Sequence, residues 1–222
     1  HLHRRIRAGM ARLTTEQPKA KQGMKLGVFG GTFDPPHLGH LILAAEAHFQ
    51  LKLDRVLWVL TPDPPHKPGY RITPLHTRLE LLQAAIAGNP HFELSRVDID
   101  RPPPYYAIDT VLRLRDLRPG AELIYLMGGD SLHDLPRWIR PLEFVQTCDE
   151  IGVMRRPGDD LDLHALESHL PDITEKVRFL DSPLIQISST QIRSRVGAGA
   201  PYQYYLPSPV YELIKERRLY CT

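Results

Sequence analysis

Cysteine is scarce. The 222 residues hold two, Cys148 and Cys221, far apart and in no Cys-x-x-Cys pair. That excludes a disulfide framework and favours a reducing, cytoplasmic setting. Long apolar runs are missing too: nothing approaches the roughly 20 residues a membrane helix needs. Charge of one sign is also missing. The 28 basic and 26 acidic residues leave a formal net charge of +2, too little for a general field that draws nucleic acid. No Ser-His-Asp or Cys-His arrangement is evident, and there is no internal repeat or low-complexity segment.

The first 23 residues, HLHRRIRAGMARLTTEQPKAKQG, are basic and carry no apolar core of a secretory signal. They read as a disordered extension or leader, and folded patterning begins at Met24. Residues 24–222 then read as one domain, with a small helical subregion from about residue 186. An apolar fraction of 42% suits that size.

What is present in quantity is alternation. Lys25–Phe29 (KLGVF), Arg55–Leu60 (RVLWVL), Phe92–Ile99, Glu122–Met127 (ELIYLM), Glu150–Met154 (EIGVM) and Lys176–Leu180 read as strands. LIQI, residues 184–187, reads as another. Between them lie helical stretches: from Pro36 through LGHLILAAEAHFQLKL, from Thr73-Pro74 to Ala87, Ala107–Leu117, Ser189–Val196 and Ser208–Leu219. Asp34 or Thr73 can cap the first two. Several strands are continuous apolar runs, as in a parallel sheet covered on both faces. The expected fold is therefore α/β, a doubly wound Rossmann-like parallel sheet. Ligands of such sheets bind at the C-terminal strand ends. Two diglycines, Gly30-Gly31 and Gly128-Gly129, each end a strand and should face one crevice. Trp58, inside a strand, reads as core.

GGTFDPPHLGH, Gly30 to His40, concentrates the chemistry. It is neither the dinucleotide G-x-G-x-x-G nor the P-loop pattern, which sets aside hydride transfer and P-loop hydrolysis. The glycines allow a sharp turn and close approach of a ligand to backbone. The helix that follows offers unpaired N–H groups and the positive end of its dipole, a site for phosphate. His37 and His40, three apart, share a face there. Phosphate would favour their protonated forms and the dipole would oppose it, so their charge stays open. Zinc pairs on helices usually sit four apart with a third ligand nearby, which argues against metal. ISSTQIR, Ile187 to Arg193, repeats the logic. Ser188 or Ser189 caps a helix, hydroxyls join its free N–H groups, and the Arg193 guanidinium suits paired phosphate oxygens. Asp130, after the second diglycine, can accept bonds from ribose hydroxyls, and Trp138 can stack on an aromatic ring.

Together, GGTFDPPHLGH, PPHK (Pro64–Lys67), YAIDT (Tyr106–Thr110), GGDSL, LPRW, RRPG (Arg155–Gly158) and ISSTQIR resemble the motifs of the nucleotidylyltransferase superfamily. From Met24 to Tyr220 the chain resembles bacterial nicotinate-mononucleotide adenylyltransferases. That resemblance implies transfer of AMP from ATP to nicotinate mononucleotide, giving deamido-NAD and pyrophosphate in NAD biosynthesis. It implies His37, His40 and Arg193 as catalytic. ATP would meet Gly30, Gly31, Thr32, Phe33, His37, His40, Gly128, Asp130, Ile187, Ser188, Ser189, Thr190 and Arg193. The mononucleotide would meet Lys67, Tyr106, Ala107, Asp109, Thr110 and Trp138. Arg155 and Arg156 would face the adenine or phosphate side. Mg2+ would travel on the ATP phosphates, with no dedicated protein ligands. The expected partners are these small molecules, with a homo-oligomer allowed and no nucleic acid or membrane. Many members carry Thr where this chain has Ala107, which leaves a nicotinamide mononucleotide substrate as the alternative. A nucleotide-binding sensor without catalysis is a second.

Overall fold

The computed structural model describes residues 23–64, 71–155, 161–183 and 186–221. In chain order these form β1 (Lys25–Gly31), α1 (Leu38–Gln50), β2 (Arg55–Leu60), α2 (Leu75–Ile86), β3 (Phe92–Ser95), α3 (Ala107–Leu117) and β4 (Glu122–Gly128). There follow α4 (Gly129–Asp134), a 3-10 turn at Leu135–Arg137, α5 (Pro141–Thr147), β5 (Glu150–Met154), α6 (Leu163–Glu167), α7 (Ile173–Lys176) and β6 (Val177–Leu180). The C-terminal part holds α8 (Ser189–Gly197), a 3-10 turn at Gln203–Tyr205 and α9 (Ser208–Glu216). Among the described residues the strands form one sheet in the order β3-β2-β1-β4-β5-β6. Every pair is parallel.

Strand alternation explains why helices must cover both faces. On β2, Leu57 and Val59 enter one buried cluster, while Val56, Trp58 and Leu60 enter the other. On β4, Leu123 and Met127 take the first side and Ile124 and Leu126 the second. Helices α3, α5 and α7 bring Val111, Phe144 and Ile173 to the first face. Helices α1 and α2 bring Ala44, Ala47, Leu82 and Ile86 to the second. Each buried Leu, Val or Phe contributes about 1.5–3 kcal/mol relative to exposure. The wholly buried Trp58 is core, as its place in a strand predicts. A third cluster joins Leu81 of α2 to Ile192 of α8 and to Val210 and Ile214 of α9.

Several local expectations are corrected. The first diglycine does not form the turn. Gly30 and Gly31 pair with Val59 and Leu60 as the last residues of β1. The chain turns at Phe33, which takes the left-handed φ of 47°. Helix α1 starts after Pro36, and His37 is its N-cap in place of Asp34. Pro74, not Thr73, precedes α2. β3 stops at Ser95, short of the alternation that ran to Ile99. Lys176 ends α7 instead of opening β6. Gln186 and Ile187, the described half of LIQI, lie outside any strand.

Candidate active site

The sheet order reverses between β1 and β4, and there the neighbouring crossovers run to opposite faces. A cavity of about 440 Å³ opens at this point. Gly30, Gly31 and Thr32 from the end of β1, and Met127 and Gly128 from the end of β4, line it. Its far wall is Tyr106, Ala107 and Thr110 of α3, faced by Trp138 after the 3-10 turn. Both diglycine strand ends therefore do share one crevice.

At the Trp138 end the surfaces are largely aromatic. Trp138 meets Phe144 at 5.3 Å and Tyr125 at 6.2 Å, both edge to face. α3 begins here with Tyr106 as N-cap and no side-chain cap, so its first backbone N–H groups lack the usual partner. The Thr110 hydroxyl is 2.9 and 3.0 Å from the two oxygens of Asp98. Asp98 is itself buried, paired with Arg101, and burial raises its pKa. Thr110 thus braces the wall from within. Asp109 does not face the cavity; its carboxylate pairs with Arg140.

At the other end, two helix N-termini meet. The Phe33–Pro36 turn leads into α1, and α8 docks against it. Ser189 donates its hydroxyl to the Pro35 carbonyl at 2.8 Å, and Arg193 donates to the Asp34 carbonyl at 2.7 Å. Arg193 also reaches the Thr190 hydroxyl at 3.2 Å. Ser188 caps α8 by accepting from the Gln191 N–H at 3.1 Å. This brings His37, His40, Ser189, Thr190 and Arg193 into one neighbourhood from segments some 150 residues apart.

The histidines stack, with ring centroids 3.7 Å apart and planes at 24°. The His37 backbone N–H donates to His40 Nδ1 at 3.2 Å. His37 is 5% exposed, and its Nδ1 is buried with no hydrogen-bond partner. Burial pushes its pKa down to about 4, so the ring is neutral at physiological pH without ligand. That decides for His37 the charge left open by sequence. Gly39 makes the stack fit: a Cβ there would stand 3.0 Å from His37 Nδ1 and 3.6 Å from the Ile187 carbonyl. Gly31 has a related role, since a Cβ would meet the Phe33 ring at 2.9 Å. The first diglycine thus makes room for the chain's own ring as well as lining the cavity. Phe33 is buried against His40, Phe29 and Trp58, so its side chain is core.

Asp130 is exposed in the first turn of α4, just past Gly128 at the cavity rim. Arg155 stacks on the Phe179 ring at 3.6 Å. Lys67 and Arg156 lie outside the described residues.

Sequence reasoning missed Arg78 and Tyr220, which hold the turn, and read Asp34 only as a cap. Asp34, 2% exposed, accepts from the Thr73 N–H at 3.0 Å and the Tyr220 hydroxyl at 2.6 Å. Arg78, 1% exposed, donates to the carbonyls of Thr32, Thr61, Pro62 and Thr73 at 2.6–3.0 Å. An arginine on an otherwise apolar helix face was the available signal. Nothing local marks Tyr220 as a partner of Asp34.

The cytidylyltransferase-like family model matches residues 28–195. A protein of Thermomicrobium roseum named a probable nicotinate-nucleotide adenylyltransferase is 46% identical over 89% of this chain and 92% of its own. One of the same name from Bacillus pumilus is 38% identical over 88% and 98%. The chain belongs to the nicotinate-nucleotide adenylyltransferase family. The family fold extends to a Plasmodium falciparum nicotinic acid mononucleotide adenylyltransferase complexed with NaAD. That structure matches with a TM-score of 0.74 at 16% identity, over 89% of this chain and 97% of that one. At that identity the likeness shows the shared fold alone.

Proposed function

We propose that the protein transfers AMP from ATP to nicotinate mononucleotide, releasing pyrophosphate and forming deamido-NAD for NAD biosynthesis. The observation that carries this reading is that two unlike surfaces follow each other along the chain. Gly30–Thr32 line an aromatic cavity with an uncapped helix start, and the Phe33–Pro36 turn that comes next leads to two helix N-termini with two histidines and an arginine. The first suits a pyridine carboxylate and the second a triphosphate.

In this reaction a phosphate oxygen of the mononucleotide forms a bond to the α-phosphorus of ATP. The bond from that phosphorus to the β-phosphate bridging oxygen breaks, and pyrophosphate leaves with its electron pair. A phosphate monoester has a second pKa near 6, so the nucleophile is already ionised and needs no protein base. The protein's task is to hold two anions together. His37 and His40 donate to phosphate oxygens and Arg193 swings from the Asp34 carbonyl to the triphosphate. Ser188, Ser189 and Thr190 add the α8 N-terminus, and Gly128 and Asp130 take the nucleoside. Tyr106, Ala107, Thr110 and Trp138 enclose the pyridine. Each helix end adds about 0.3–1 kcal/mol when exposed and up to about 2 when partly buried. Magnesium carried on the ATP phosphates would offset part of their charge. The described residues contain no group of three or more His, Cys, Asp or Glu able to cage it.

We place residues 24–222 in one catalytic unit, cytoplasmic in setting, with α8 and α9 as its C-terminal subregion. Among the described residues no helix is long and apolar enough to cross a membrane. Pyrophosphate release with ATP and either nicotinate or nicotinamide mononucleotide tests the reading. Higher kcat/KM for the acid is expected. A preference for the amide, which Ala107 makes the competing substrate, overturns the acceptor assignment. ATP binding without pyrophosphate release overturns the activity.

A further inference from the structure

Tyr125 is central to β4 and its ring is locked by packing. It stands edge to face on Phe144 at 4.9 Å and on Trp138 at 6.2 Å. A tyrosine so placed usually spends its hydroxyl on a neighbouring group. Here the hydroxyl has no hydrogen-bond partner among the described residues, and it is absent from the polar atoms sealed in the interior without one. Tyr125 lines the cavity, and its oxygen lies 3.2 Å from where a Cβ on Gly30 would stand. A side chain at position 30 would therefore cover it. The missing Cβ leaves that hydroxyl open to the cavity beside the Gly30 backbone. Burial raises the phenol pKa further, so the group keeps its proton and remains a donor at neutral pH.

From these observations we infer that the Tyr125 hydroxyl is a specificity-determining hydrogen-bond donor to the ribose-phosphate segment of the pyridine mononucleotide. The inference rests on the acceptor assignment proposed above. The position along the cavity selects that segment. Trp138 and the α3 start mark the pyridine end, Thr32 marks the turn towards the phosphate site, and Gly30 lies between. The donor is fixed by ring packing before ligand arrives, so little side-chain freedom is lost on binding. A pyridine base without its sugar phosphate would leave the hydroxyl unpaired, which biases the site towards the nucleotide.

Tyr125→Phe tests this cleanly, because the deleted hydroxyl makes no bond to any of the described residues. The variant keeps both ring contacts and should melt within a degree or two of the parent. Steady-state pyrophosphate release should show a mononucleotide KM raised about 10–150-fold, the range for one lost hydrogen bond to a charged group. The KM for ATP should stay within about twofold, and kcat should change less than the mononucleotide KM. An unchanged mononucleotide KM in a stable variant overturns the inference. So does an equal rise in both KM values, which marks a general disturbance. If the parent protein releases no pyrophosphate with either mononucleotide, the acceptor assignment fails instead, and the two failures are distinct. A Tyr125→Phe protein with a lowered melting temperature would show that the hydroxyl supports the fold, which also overturns it.

Discussion

In the folded chain the His37 imidazole is 5% exposed, and burial holds its pKa at about 4, against an ordinary value of 6.5. A histidine with a lowered native pKa binds protons more readily when unfolded. Stability is therefore full above about pH 6.5 and is lost as pH falls towards 4. The difference amounts to roughly 2 kcal/mol between pH 7 and pH 5 for this one group. Denaturant unfolding at the two pH values should show that loss, and His37→Gln should remove most of the difference. Equal pH slopes in parent and variant would mean that His37 protonates freely. The same neutrality bears on function. A neutral imidazole still carries one N–H, so the contact to phosphate proposed above does not require His37 to be protonated. The sequence made both histidines legible as a pair, because their spacing and a helix start suffice for that. It could not fix the charge of His37, which depends on how deeply the fold buries that ring.

The first turn of α1 and the N-terminus of α8 act through close contact. Gly39→Ala should raise intrinsic helix propensity by up to about 1 kcal/mol. Yet its Cβ would crowd the His37 ring at 3.0 Å. We expect unchanged or slightly higher melting temperature with kcat reduced at least tenfold. Normal turnover would show that the ring has room to shift. Arg78 on α2 joins the turn after β1 to the loop after β2 through bonds to Thr32, Thr61, Pro62 and Thr73. Arg78→Met leaves those buried carbonyls without a donor and should cost about 3–5 kcal/mol, read by chemical denaturation. At this scale α3, β2 and β5 were legible to the residue, since periodicity and flanking turns agree. The caps were not. Asp34 has the right side chain to cap, but its carboxylate accepts from the Thr73 backbone N–H and the Tyr220 hydroxyl, partners that no local window contains. β3 ends early because Val97 turns into the core and Asp98 into the wall behind α3.

Across the whole molecule, the turn at Phe33–Pro36 is held by contributions from α2, α8 and the residues after α9. Tyr220 is 186 positions from the Asp34 carboxylate it binds. Tyr220→Phe removes that bond and should cost about 1 kcal/mol of stability. It should also lower kcat several-fold with smaller changes in KM, because Asp34 carries the carbonyl on which Arg193 rests. A variant that loses stability but keeps kcat would make the link purely structural. The doubly wound layout and its crevice were legible from strand and helix alternation, whereas this closure of the fold was not. It has a consequence for synthesis. A ribosome has made every strand of the sheet before it makes Tyr220, so the nascent protein can assemble its sheet while its phosphate turn still lacks one partner. Chains halted between β6 and Tyr220 would be folded in outline and chemically unfinished.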